Sequence, residues 1–418
     1  MKNPIILGMF AWAISSSAAY ADITIDDYTD ATNDRFTNDA SFIAASYSLS
    51  AIGKVSLRWG TLVSSNVVLC ANHYHPLVGQ TMTFYATNDP NGDSQQRTVV
   101  AGERIGESDL WVGVLNEPLP GTYEPLPFMN SSITNAIYFI QSGLSNAEVF
   151  LLGRSPNTDD VALDTGVGKN RITSVLFNQS VTGTDDVVAT GTAIYTTQNS
   201  SGDSAYVTYE AQLQNYDSGA PMLRVINGEL TIVGVNWFVG SDGTNNISGA
   251  TYVGNYAAEI QAIIDAYDGL SVPSGYGDWA STQFGSTDIT EYPPNADNDG
   301  DGRTNYDEYA LAYDPTTPDY YAPSEFSTAD LSGSHYGQLT VTLQQNDNDL
   351  NYLIYSGADL SSLASTTLRY NSGWSVGNSS VAVISSATDN GDNTWTLTLR
   401  DATAVTEGSP RFMRVSYD

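Results

Sequence analysis

The sequence runs to 418 residues, more than one hydrophobic core usually serves, so two or three domains are expected. With 15 Lys and Arg against 47 Asp and Glu the formal charge is −32, which repels a phosphate backbone and an anionic lipid surface alike and argues against nucleic acid as a partner. A lone cysteine, Cys70, excludes any intrachain disulfide, leaving packed cores and a bound metal as the sources of stability.

Lys2, the apolar stretch Ile5 to Ile14 and the small residues ending in Ala19-Tyr20-Ala21 have the layout of a cleaved secretory signal, so residues 1–21 are set apart from the fold. An extracellular, periplasmic or cell-surface location follows as the expectation. No later segment has the length of a membrane helix. From about Val55 to Tyr252, short β-branched and aromatic runs alternate with Gly, Asn, Asp and Pro turns, as in Val67-Val68-Leu69, Leu110 to Leu115, Val149 to Leu152, Val187 to Tyr195 and Leu230 to Val239. That pattern predicts an all-β sandwich or barrel. Tyr256, Ile260, Ile263, Ile264 and Tyr267 then share one helical face, with Asn255 available to cap its start and Gly269 its end. Residues 269–296, rich in Gly, Ser, Thr and Pro, read as a linker. Past an Asp-rich loop, Leu339 to Leu343, Tyr352 to Tyr355, Val381 to Ile384, Thr394 to Leu399 and Phe412 to Val415 are strand candidates, and a small β-sandwich over 320–418 is expected.

Three separate stretches carry the residue types of acyl transfer, in which a weak serine nucleophile needs a histidine base and an acid to orient that base. Gly60 to His73 resembles the strand, turn, strand and catalytic histidine of the trypsin/chymotrypsin-like serine proteases, with Cys70 and Asn72 in place of the customary Thr and Ala. Ser108-Asp109-Leu110-Trp111-Val112-Gly113-Val114-Leu115 resembles the family's aspartate and the strand that follows it, and Asp109 lies 36 residues after His73. Asn215-Tyr216-Asp217-Ser218-Gly219-Ala220-Pro221 resembles the Gly-Asp-Ser-Gly-Gly-Pro turn around the nucleophile, and Ile232 to Trp237 the strand whose edge pairs with substrate. The order His, Asp, Ser is that of the chymotrypsin-type barrels.

The resemblance implies a trypsin-like double β-barrel with a C-terminal helix over residues 22–268. It implies Ser218 as nucleophile, His73 as base and then acid, Asp109 as the orienting carboxylate, and the N–H groups of Tyr216 and Ser218 as the oxyanion hole. The family has glycine where Tyr216 stands, and Asp217, which there pairs with a newly cleaved amino terminus, has no obvious partner here; a constitutively formed site is the expectation. Counting back from Ser218 sets the floor of the specificity pocket near Gln212 and Leu213, with Asn236, Trp237 and Phe238 along its wall. With no acid at the floor, a small or apolar residue is expected before the scissile bond.

Asp297-Asn298-Asp299-Gly300-Asp301-Gly302-Arg303-Thr304-Asn305-Tyr306-Asp307-Glu308 matches the twelve-residue EF-hand calcium loop at every ligand position. Asp297, Asp299, Asp301, Asn305 and Glu308 supply side-chain oxygens and Arg303 its carbonyl. Pro293 and Pro294 preclude an entering helix, so only Asn305 to Ala312 can be helical; this is similar to the single EF-like or dockerin-type loops of secreted bacterial proteins. Calcium is therefore expected as a structural clip over 297–319, with no cofactor for catalysis. The whole reads as a secreted, monomeric serine endopeptidase acting on polypeptides. The alternative is a calcium-stabilised extracellular binding or adhesion protein that keeps the fold without the catalysis.

Overall fold

The computed structural model describes residues 22–156, 160, 162–182, 188–241, 243–273, 275–318, 325–345, 350–406 and 410–417. The proposed signal, residues 1–21, lies outside them. The chain divides into two compact units, Met1–Ser271 and Val272–Asp418.

In the first unit the β-branched runs become two closed six-stranded barrels preceded by a short strand, β1 (Thr24–Ile25). Strands β2 (Ile52–Val55), β3 (Arg58–Leu62), β4 (Val67–Ala71), β5 (Thr81–Tyr85), β6 (Ser94–Arg104) and β7 (Leu110–Leu115) close in the order β2-β3-β4-β7-β6-β5. Every residue of β4 and β7 is buried, because both faces of these two strands are covered. That explains why they read as continuous apolar runs rather than as alternation. Cys70, in the middle of this pair, has no solvent exposure.

The second barrel is built from β8 (Glu148–Gly153), β9 (Gly166–Thr182), β10 (Val188–Thr197), β12 (Pro221–Ile226), β13 (Glu229–Ser241) and β14 (Asn246–Tyr252), while β11 (Ala211–Gln212) pairs outside it with β1. Val149, Leu151, Ile172, Ile194, Met222, Val233 and Ala250 fill this barrel.

The expected helix runs from Ala257 to Tyr267 and buries Ile260, Ile263, Ile264 and Tyr267. Asn255 does not cap it. Its Oδ1 accepts from the Ile133 N–H at 2.6 Å, and its Nδ2 donates to the Ile133 carbonyl at 3.1 Å and to Thr192 Oγ1 at 3.0 Å. The side chain is thus spent on a distant loop, and the helix starts at Tyr256 without a side-chain cap.

The second unit corrects the linker expected over 269–296. A helix, Tyr276–Phe284, lies within it, and Tyr276 and Ala280 are fully buried. Tyr276 sits edge-on to Tyr309 at 5.6 Å, so the aromatic residues among the Gly and Ser give the stretch a core of its own. After the acidic loop comes the helix Asn305–Leu311, opened by a reciprocal capping box between Thr304 and Asp307. Two four-stranded antiparallel sheets follow. The first contains β15 (Glu325–Leu331), β16 (Ser334–Gln344), β20 (Ala382–Asp389) and β21 (Thr394–Asp401), and the second β17 (Tyr352–Gly357), β18 (Ala364–Tyr370), β19 (Trp374–Val376) and β22 (Phe412–Tyr417). Asp401, at the end of β21, is fully buried. It accepts from Ser356 Oγ of β17 at 2.7 Å and from Arg411 Nε, just before β22, at 2.7 Å, tying one sheet to the other. Among the described residues no helix is long and apolar enough to cross a membrane.

Candidate active site

Antiparallel pairing of β4 with β7 sets Cys70 opposite Trp111 and Ala71 opposite Leu110. Continuing that ladder by one residue brings Asn72 to Asp109, where the Asn72 N–H donates to the Asp109 carbonyl at 3.1 Å. A single 3-10 turn, Asn72–Tyr74, then swings His73 back over the acid. The Asp109 carboxylate accepts from the His73 backbone N–H at 2.9 Å and meets His73 Nδ1 at 2.7 Å. Asp109 is fully buried, whereas 27% of the His73 side chain remains exposed. A carboxylate that can only accept fixes the proton on Nδ1, which leaves the Nε2 lone pair free to take a proton. His75, two residues on, is stacked on Trp111 at 4.4 Å, and its Nδ1 donates to the Pro76 carbonyl at 2.8 Å. Burial lowers its pKa, keeping it neutral beside the pair.

The loop carrying Ser218 reaches this corner from the second barrel. Trp59 Nε1 donates to the Tyr216 carbonyl at 3.3 Å, and the Tyr74 and Tyr216 rings meet edge to face at 6.0 Å. Gly219 has φ +86°, and a Cβ there would lie 3.4 Å from the Ala71 nitrogen and 3.7 Å from the Cys70 Cβ, so the loop abuts the end of β4, two residues before His73. The Gly219 N–H donates to the Asn236 carbonyl at 3.0 Å and Asn236 Nδ2 to the Asp217 carbonyl at 3.1 Å, locking both neighbours of Ser218 to β13. Among the described residues the Ser218 hydroxyl makes no hydrogen bond. His73 and Asp109 are in contact, and no hydrogen bond joins Ser218 to His73 among the described residues.

Tyr216 takes φ +76° despite its Cβ. The left-handed backbone that glycine adopts freely is therefore reached here by a tyrosine, at a cost of about 1–2 kcal/mol. Asp217 finds partners that the sequence does not reveal. Its fully buried carboxylate accepts from the Gln214 and Arg154 backbone N–H groups, each at 2.7 Å.

The expected pocket residues divide. Leu213, 2% exposed, belongs to the core of the second barrel together with Ile25 and Met222. Gln212 belongs to β11, opposite Thr24. Asn236 and Trp237 are buried, Trp237 against Ala189 and Ala193. Phe238 lies over Gly249, whose absent Cβ would fall 2.3 Å from its ring. Beyond Asn236, β13 pairs with β14 alone among the described residues.

In the second unit Asp297, Asp299 and Asp301 converge, each with one carboxylate oxygen within 4.8 Å of the others. Asp297 accepts from the Gly300 and Gly302 N–H groups at 2.8 and 2.9 Å, both glycines having positive φ. Asn305 and Glu308 are fully buried. Among the described residues no hydrogen-bond donor reaches the buried acceptors Asn305 Oδ1 and Asp299 Oδ2, an arrangement that could accommodate a cation. The Arg303 guanidinium pairs with Asp301 and lies 4.3 Å over the Tyr313 ring, turned to the side of the loop.

No protein-family model and no curated protein matches the chain. The solved structures it resembles include two of the murine norovirus NS6 protease, both of an inactive mutant. One is a chimera with a substituted cleavage junction, the other carries a C-terminal extension. Each shows 14% identity and a TM-score of 0.30 over 49% of this chain, and the match spans 92% and 96% of the viral chains respectively.

Proposed function

We propose that the chain is a secreted serine endopeptidase of the trypsin/chymotrypsin type. The observation that carries this reading is the 2.7 Å contact between His73 Nδ1 and a fully buried Asp109, since an isolated buried carboxylate is costly unless it is paired. In the mechanism that follows, Ser218 Oγ attacks the scissile carbonyl as His73 Nε2 takes its proton. The same imidazolium, steadied by Asp109, returns the proton to the leaving amine. The amides of Tyr216 and Ser218 stabilise the oxyanion, and water repeats the sequence on the acyl-enzyme. Phe238 over Gly249 favours a small or apolar residue before the scissile bond.

A fluorophosphonate probe tests this reading, because only an activated serine reacts. Covalent labelling of the wild type, lost in Ser218→Ala, is the expected result. An unlabelled wild type in the presence of calcium would favour the extracellular binding or adhesion protein, a reading supported by the open Ser218 hydroxyl and the covered Gly249.

We infer further that the loop 297–308 holds calcium as a structural clip, through Asp297, Asp299, Asp301, Asn305, Glu308 and the Arg303 carbonyl. Bound there, the ion would neutralise clustered carboxylates and satisfy the orphaned Asn305 oxygen. At ten times its Kd, calcium is expected to stabilise the second unit by about 1.4 kcal/mol, raising its melting midpoint by roughly 3–6 °C. Scanning calorimetry with calcium and with chelator measures the shift. A midpoint indifferent to calcium, or an equal response in Glu308→Gln, would refute the site.

A further inference from the structure

Two chains of contact run from one buried lysine to the two residues that precede Ser218. Lys54 lies in β2 of the first barrel and is 4% exposed, unusually deep for a lysine. Its ammonium sits 4.2 Å over the Trp59 ring, and Trp59 Nε1 in turn donates to the Tyr216 carbonyl at 3.3 Å. The same ammonium donates to the Asp164 carbonyl at 2.6 Å. The Asp164 carboxylate accepts from Arg154 Nε at 2.6 Å, and the Arg154 backbone N–H donates to Asp217 Oδ1 at 2.7 Å. Arg154 is 5% exposed, and Asp164 and Asp217 have no exposure at all. Gly153 completes the arrangement, since a Cβ there would come within 2.5 Å of the Asp217 carboxyl.

Burial works against both ends of this network. It pushes the Asp217 carboxyl up to about 8, against the pull of the Gln214 and Arg154 backbone N–H groups, and the Lys54 ammonium down to about 8, against the pull of Asp164. Buried charges persist where partners compensate them, and removing one leaves the rest exposed to the full cost of desolvation. Here the partners come from both barrels and end on the loop whose amides would face the oxyanion.

We propose that Lys54 is a positioning residue for the nucleophile loop, bracing Tyr216 through Trp59 and Asp217 through Asp164 and Arg154. The loop is then held in its working shape in the folded chain, with no cleavage needed to supply a cation. This rests on the hydrolase reading above.

The test compares wild type, Lys54→Met, which keeps the apolar stem over Trp59, and Lys54→Arg, which restores the charge. The readouts are the rate of fluorophosphonate labelling per folded molecule, kcat and KM on one peptide, and the melting midpoint. Lys54→Met is expected to label about 100-fold more slowly, with kcat falling and KM little changed, as for loss of one oxyanion donor. Lys54→Arg should recover labelling to within about tenfold of wild type. A folded Lys54→Met that labels at the wild-type rate overturns the proposal, as does a lowered midpoint with an unchanged rate, the mark of a merely structural role. Should Lys54→Met fail to fold, Asp164→Ala carries the test: it removes the side-chain acceptor that holds Arg154 Nε, and labelling at the wild-type rate would again overturn it. Absence of labelling in the wild type itself sinks the hydrolase reading, and this inference with it.

Discussion

Asp109→Asn is expected to lower kcat by about 10⁴-fold while leaving KM nearly unchanged. The substitution keeps the shape of a side chain that has no solvent exposure, so the fold is not its target. What changes is the direction of one hydrogen bond. The wild-type carboxylate can only accept from His73 Nδ1, at 2.7 Å. The asparagine amide can turn its NH₂ toward that nitrogen, since its oxygen is wanted by the His73 backbone N–H that now bonds Oδ1 at 2.9 Å. The imidazole proton then moves to Nε2, and His73 can no longer accept from Ser218. Steady-state kinetics on a peptide substrate measures the effect. A loss of less than about tenfold would mean that Asp109 is a structural acid and that the base is oriented by something else.

Arg411→Ala is expected to destabilise the second unit by about 3–5 kcal/mol, the usual cost of stranding one member of a buried ion pair, with a fall of roughly 10–20 °C in its melting midpoint. Asp401 is fully buried, and Arg411 bonds both of its oxygens, at 2.7 and 2.9 Å. Burial raises the pKa of this carboxyl, but the hydrogen bonds from Arg411 and Ser356 outweigh it, and the net shift is downward. A depressed folded-state value contributes stability above the unfolded carboxylate pKa of about 4, and that contribution is lost as the pH falls through the folded value. The acid limb of the second unit's stability should therefore flatten in the variant. An unchanged midpoint and acid limb in Arg411→Ala would show that the two sheets are held by their apolar faces alone.

The parts of the candidate site legible in the sequence were those fixed by local pattern. His73 lies two residues after the all-buried strand β4 and Asp109 immediately before the all-buried strand β7, and an uninterrupted apolar run bounded by polar residues is visible without coordinates. The Ser218 turn was legible for the same reason, from the small residues that follow it. Lys54 was not, because Ile52-Gly53-Lys54-Val55 looks like any short strand, and its depth depends on the second barrel and on Asp164, 110 residues away. The one available signal was a cation inside an apolar strand in a chain with only 15 basic residues. The place of Leu213 in the barrel core was not legible, because counting along the chain fixes distance from Ser218 but not the face a side chain takes. Composition concealed the helix Tyr276–Phe284 in similar fashion: Gly and Pro advertise a linker, and the aromatic packing that orders it requires the helix Asn305–Leu311, much later in sequence.

Cys70 stands in the interior of β4 with no solvent exposure, and burial holds its thiol well above the usual range. Oxidants and alkylating reagents attack the thiolate, so this sulfur is doubly shielded, by access and by protonation. The folded molecule therefore cannot be cross-linked to a second copy through its only sulfhydryl in an oxidising milieu. Uptake of a thiol-specific dye becomes a direct count of molecules whose first barrel has opened.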